Sequence, residues 1–253
     1  ILFQADDGAT GPELWKTDLT PGGTVRVRDI NPGGAGSSPA FFTPIRTTVC
    51  FRATLAGSGT ELFRTDGTEA GTVMVKDILP GPSSSAPTGL TEIKGVVVFA
   101  ADDGVHGREL WMSDGTAAGT VLIADVNPGL GSSSPTSLIN VYGTLYFVAF
   151  RPDVGNELFK CEIDPSNKLA TVTLVKDLWP GTGFSSPTIF HATNARVFFV
   201  ATTPDEGTEV FVSDGTPEGT HVVRDIRPGA TGSAPSALLG VGPVVYFAAN
   251  DGV

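Results

Sequence analysis

The sequence predicts an all-β fold of repeated four-stranded antiparallel sheets, and three observations predict it. Ladders of like residues run along the 253-residue chain in one register: Glu13, Glu61, Glu109, Glu157 and Glu209, then Asp29, Asp77, Asp125, Asp177 and Asp225. A third ladder, Pro32, Pro80, Pro128, Pro180 and Pro228, opens a Pro-Gly each time, with Pro39, Pro87, Pro135, Pro187 and Pro235 seven residues on. Composition supplies the second observation. With 32 Gly and 19 Pro beside 40% hydrophobic and 17% charged residues, the chain is too apolar for disorder and heavily punctuated by turns. Third, no apolar pattern of helical period runs for a useful length, whereas short β-like runs recur throughout.

Glu13 to Glu61, Glu61 to Glu109 and Glu109 to Glu157 are each 48 residues, and Glu157 to Glu209 is 52. The four extra residues fall between Glu157 and Asp177. A fixed period of this length marks a repeat architecture, and 48 residues in four strands is the size of a β-propeller blade. The repeats span about 1–35, 36–83, 84–131, 132–183 and 184–231, with 232–253 starting a further repeat or closing the ring. The chain reads as one propeller of five visible blades or as a window on a larger ring. Its start at Ile1, within a repeat, favours the window.

Within the third full repeat the strands read as Thr136 to Val141, Leu145 to Ala149, Glu157 to Cys161 and Val172 to Leu178. Tyr142-Gly143 turns the first into the second as a hairpin. The second is apolar on both faces, as a strand between packed layers must be. Asp66-Gly67-Thr68, Asp114-Gly115-Thr116 and Asp214-Gly215-Thr216 separate third and fourth strands; Asp captures local amides and Gly accepts positive φ. Trp15, Phe63, Trp111, Phe159 and Phe211 occupy one place in every repeat, where each ring packs on a neighbouring sheet.

The phrase Glu-Leu-Trp-x-x-Asp-Gly-Thr followed by x-x-Gly-Thr, nearly unaltered at Glu109 to Thr120, resembles the bacterial ELWxxDGT repeat family. Near matches stand at Glu61 to Thr72 and Glu209 to Thr220. Asp18-Leu19-Thr20 departs at the Gly, and Cys161 to Lys168 replaces the phrase with an insertion. The resemblance covers essentially the whole chain. It implies a propeller-like fold and a secreted or cell-surface setting, and it brings no catalytic residues.

The net charge of −11 excludes a nucleic-acid or anionic-membrane surface, and the longest apolar runs are too short for a membrane helix. Cys50 and Cys161 lack metal spacing and read as buried thiols. His106, His191 and His221 fall at different places in the repeat, and no nucleophile elbow, zinc pattern or phosphate loop occurs, so no catalytic residue is assigned and the chain reads as a nonenzyme. The Glu and Asp ladders serve the blades, accepting hydrogen bonds from neighbouring turns.

Two sets of candidates remain. Asp6-Asp7-Gly8, Asp102-Asp103-Gly104 and Asn250-Asp251-Gly252 read first as hairpin turns capping backbone amides. The same oxygens, at Asp6, Asp7, Asp102, Asp103 and Asp251, are the candidate ligands for calcium. Asymmetry concentrates in the 132–183 repeat, where the Cys161 to Ala170 insertion and the loop Arg151 to Gly155 stand near Trp179 and Phe184. Arg151, Asp153, Trp179 and Phe184 are therefore the candidate ligand contacts, since specificity resides in loops that vary on a rigid scaffold. The expected function is noncatalytic recognition of a glycan or protein ligand at the cell surface, with a structural spacer as the alternative.

Overall fold

The computed structural model describes residues 1–193 and 195–253, Ile189 by its backbone alone. Every regular element among the described residues is a strand, and none of them forms a helix long and apolar enough to cross a membrane. The first blade is β1 (Leu2–Asp6), β2 (Pro12–Lys16) and β3 (Val25–Arg28). Blade two is β4 (Ala40–Ile45), β5 (Thr48–Leu55), β6 (Gly59–Thr65) and β7 (Val73–Lys76), and blade three is β8 (Thr88–Ile93), β9 (Val96–Asp102), β10 (Arg108–Ser113) and β11 (Val121–Ala124). Blade four is β12 (Thr136–Val141), β13 (Thr144–Arg151), β14 (Gly155–Asp164) and β15 (Leu169–Lys176). Blade five is β16 (Thr188–Thr193), β17 (Arg196–Thr203), β18 (Gly207–Ser213) and β19 (His221–Val222), followed by the pair β20 (Ser236–Val241) and β21 (Val244–Ala248). Each sheet is an antiparallel meander in chain order, so the protein has the β-propeller architecture of four-stranded blades.

Two compact units divide the chain. One holds residues 1–132 with 165–169, the other 133–164 with 170–253. In the first unit, Leu14, Val27 and Ile30 of blade one pack on Phe51, Ala53 and Phe63 of blade two. Cys50, Leu62, Val75 and Ile78 of blade two pack in turn on Val97, Phe99, Ala101 and Trp111 of blade three. The second unit repeats the arrangement with Leu158, Val175 and Leu178 against Val197, Phe199 and Phe211. Phe63, Trp111 and Phe211 thus face the preceding blade, and burying each ring stabilises by about 1.5–3 kcal/mol. Every residue from Val96 to Ala101 in β9 is buried, because that strand has a packed layer on each side.

Basic side chains fasten blade to blade. Arg28 donates to the carbonyl of Thr72, Lys76 Nζ to that of Thr120 at 2.9 Å, and Lys176 Nζ to that of Thr220 at 2.7 Å. These donors stand one residue before the Asp ladder, where blade three has Ala124.

The strand limits differ from the sequence expectation in blade four. The insertion forms no loop at Cys161; β14 runs on to Asp164 and β15 begins at Leu169, so the extra residues lengthen a hairpin. Its tip belongs with the first unit, Lys168 Nζ donating to the Ala118 carbonyl at 2.6 Å. At the other end β15 stops at Lys176, two residues before Leu178, because the Leu178 amide turns toward Glu157 at 3.4 Å.

Candidate functional site

The ladder glutamates are wholly buried, each with its carboxylate facing the Asp-to-Pro-Gly loop of its own blade. Glu13 accepts from the amides of Ile30 and Asn31 at 3.0 and 3.1 Å and from Ser37 Oγ at 2.5 Å. Glu61 accepts from the Ile78 and Ser85 amides and from Ser85 Oγ. Glu157 and Glu209 repeat the pattern with Ser185 and Ser233. Burial pushes Glu61 upward from the usual carboxylate range and Glu157 up to about 7, against the opposing pull of those donors. A buried carboxylate satisfied in this way closes a loop and leaves no lone pair aimed at a substrate.

Two signals in the repeat accompany this and were not read from sequence. Gly11, Gly59, Gly107, Gly155 and Gly207 precede each glutamate by two residues and have positive φ. A Cβ at Gly59 would lie 2.1 Å from the Ser83 carbonyl oxygen, and one at Gly155 would lie 2.0 Å from that of Gly183. The serine bonded to the glutamate stands two residues before the second proline of each loop, as Ser37, Ser85, Ser185 and Ser233 do.

The Asp-Gly-Thr phrase is a self-contained turn. Asp114 Oδ1 accepts from the Thr116 amide at 2.9 Å and its hydroxyl at 2.6 Å, Thr116 Oγ1 accepts from Gly119 N, and Thr120 Oγ1 donates back to the Thr116 carbonyl. The turns at Asp66 and Asp214 are built alike. In blade one, where Leu19 replaces the Gly, Asp18 still accepts from Thr20 and Leu19 takes φ of 73°.

The Asp-Asp-Gly loops spend their oxygens on their own backbone. Asp6 accepts from Gly8 N, while Asp7 Oδ1 takes the amides of Ala9 and Thr10 and the Thr10 hydroxyl, with Arg26 at 3.4 Å from Oδ2. Asp102 accepts from Gly104 N; Asp103 Oδ1 takes the Val105 and His106 amides, and Oδ2 pairs with His106 Nδ1 at 2.8 Å. Asp251 accepts from Val253 N. Among the described residues no three His, Cys, Asp or Glu side chains converge as metal ligands.

Blade four brings its candidates to one end of the sheet. Arg151 grips Asp153 through two bonds, Nε to Oδ1 at 2.6 Å and NH2 to Oδ2 at 3.0 Å, and its guanidinium stands 5.5 Å above the Phe159 ring. Phe184, 49% exposed, packs against Phe150 with ring centroids 6.3 Å apart. Half-buried Trp179 lies across Gly183 so closely that a Cβ there would stand 2.0 Å from indole Cδ1. Gly155 brings the two loops together, since its Cβ would also meet the Phe184 ring at 2.9 Å. The result is a fixed carboxylate and guanidinium beside an exposed ring, able to hydrogen-bond polar groups and stack on an apolar face.

A separate cavity of about 550 Å³ is lined by Ile1, Leu2, Lys16, Asp18, Val49 and Asp66, between the turns of blades one and two. None of the blade-four candidates borders it.

No family model matches the chain, and no curated protein matches it. Among solved structures it is similar to the crystal structure of puromycin hydrolase, at 16% identity and a TM-score of 0.49 over 93% of this chain and 39% of that one. It is also similar to TolB from Acinetobacter baumannii, at 14% identity and TM-score 0.43 over 85% and 49%, and to Bacteroides ovatus Xyloglucan PUL GH43B, at 15% and 0.37 over 75% and 41%. The chain spans about two fifths to one half of the length of these proteins. Likeness at this level bears on neither activity nor ligand.

Proposed function

We propose that this chain is a noncatalytic recognition module of a secreted or cell-surface protein, a member of the ELWxxDGT repeat family, that binds a glycan or protein through loops of blade four. The observation that carries the reading is the cluster of Phe184, Trp179 and the bidentate Arg151–Asp153 pair at one end of that blade. Trp179, Phe184 and Arg151 depart from their counterparts in the other blades, while Asp153 recurs as Asp205 of blade five: Trp179 stands where the others have Asn31, Leu79, Asn127 and Arg227. The repeated carboxylates lend support, since glutamates engaged by loop amides and serines hold structure instead of a reacting group.

The test is binding of the folded chain to a glycan array, with calcium and with chelator, beside the variants Phe184→Ala and Arg151→Ala. Retention of glycan by the parent and loss by both variants is the expected result. Dependence on calcium would bring Asp6, Asp7, Asp102, Asp103 and Asp251 into the site as ligands. A blank array, together with no protein partner for the parent, would leave the structural spacer as the reading.

A further inference from the structure

Three residues that break the repeat converge in the first unit. Phe41 stands where other blades have Gly89, Ser137, Ile189 and Ala237; Arg52 replaces Gln4, Ala100, Val148, Val200 and Ala248; Arg108 replaces Pro12, Thr60, Asn156 and Thr208. This position of the first strand is a bulge, with the register shifting between Ala40 and Thr43 and again between Thr88 and Thr91. The bulge residue takes positive φ: 61° at Phe41, 67° at Gly89, and 54° at both Ser137 and Ala237. Glycine bears that conformation at little cost, whereas a residue with a Cβ is strained there, a bulky aromatic most of all.

The bulge aims the Phe41 ring outward, where it stays 44% exposed, and the Arg52 guanidinium stacks on it with Cζ 4.6 Å from the centroid. Arg52 is half-buried, and its guanidinium hydrogen-bonds to no described residue. Arg108 is held by four acceptors: the Ser85, Ala86 and Ala100 carbonyls and the Thr88 hydroxyl. Burial lowers the Arg108 pKa, the field of Asp102 raises it, and Arg52 is near enough to lower it again. Among the described residues neither arginine lies within ion-pairing distance of a carboxylate. In a chain of net charge −11 this leaves a local cationic spot beside an exposed ring.

We infer that Phe41, Arg52 and Arg108 form a binding site for a uronate, the carboxylate-bearing class of sugar. Arg52 presents a planar fork that matches a carboxylate in bidentate fashion, Arg108 adds fixed positive charge, and the open part of the Phe41 ring takes the C–H face of the pyranose. The overall negative charge repels a polyanion at long range, so affinity rests on these contacts. The site is independent of the blade-four loops.

The experiment is calorimetric titration of the full chain with oligogalacturonate, its neutral galactose counterpart and triglutamate. Oligogalacturonate should bind, the neutral sugar at least tenfold more weakly. Arg52→Ala, the residue of blade three, should weaken oligogalacturonate binding tenfold or more without shifting Tm. Phe41→Gly should weaken it similarly while Tm stays level or rises, since glycine relieves the strain; a binding loss caused by misfolding would lower Tm instead. Phe184→Ala should leave it unchanged. No binding by the folded parent, equal binding by Arg52→Ala, or equally tight binding of triglutamate would each overturn the proposal, the last by assigning an acidic peptide.

Discussion

A methyl group on Gly119 would stand 2.0 Å from Oδ1 of Asp114, the oxygen that takes the Thr116 amide and hydroxyl. The two ends of the repeated phrase Asp-Gly-Thr-x-x-Gly-Thr are therefore one device: the aspartate folds into the space that the second glycine leaves. Asp18 with Gly23, Asp66 with Gly71 and Asp214 with Gly219 show the same approach.

Gly119→Ala should accordingly displace Asp114 from its turn and lower stability by about 1–2 kcal/mol, the net worth of the hydrogen bonds lost. In an Asp114→Ala background the same substitution should cost much less. A double-mutant cycle by urea denaturation reads the coupling. Additive effects would show that the glycine serves something other than the aspartate.

Removing a ladder carboxylate should be more severe than removing its partner. Glu61→Ala strands the Ile78 and Ser85 amides and the Ser85 hydroxyl in the interior, for a loss of about 3 kcal/mol or more. Ser85→Ala removes one donor and should cost about 1–2 kcal/mol. Chemical denaturation of the two variants orders them.

Glu157 sets a pH window. Its folded value of about 7 lies above the ordinary 4.5, so the folded state favours the protonated acid. The contribution to stability is fully present below about pH 4.5 and is lost as pH rises through about 7. Melting temperatures of the parent should fall across that window through this group, and Glu157→Gln should flatten that part of the profile. Asp103 and Asp114 act elsewhere: despite burial, the His106 amide and imidazole with the Val105 amide lower the first, and the Thr116 hydroxyl and amide lower the second, so their contribution disappears only as pH falls below the ordinary 3.8.

His106 bonds to Asp103 and is raised above its ordinary 6.5, chiefly by that hydrogen bond. The pairing stabilises the loop below pH 6.5 and weakens as pH rises through the folded value. NMR titration of His106 should show the elevated pKa, and Asp103→Asn should return it toward 6.5. An unshifted imidazole would mean that Asp103 serves the backbone amides alone.

Sequence by itself determined the blade. A period of 48 residues, turn phrases at fixed offsets and strands apolar on both faces admit few solutions, because turn chemistry and side-chain alternation are local and repeat with the chain. It also separated repeating residues from exceptional ones, which is how Trp179, Phe184 and the loop that holds Arg151 and Asp153 stand out. Tertiary structure alone decided what those exceptions touch. That Phe184 meets Phe150, that the insertion extends β14 and β15 instead of looping out, and that Phe41, Arg52 and Arg108 share one place all follow from contacts between strands far apart in sequence. The glutamate's role has the same origin. Its partners stand 17 to 28 residues away, and only folding of the loop over the strand end brings those amides to a buried carboxylate that must be satisfied.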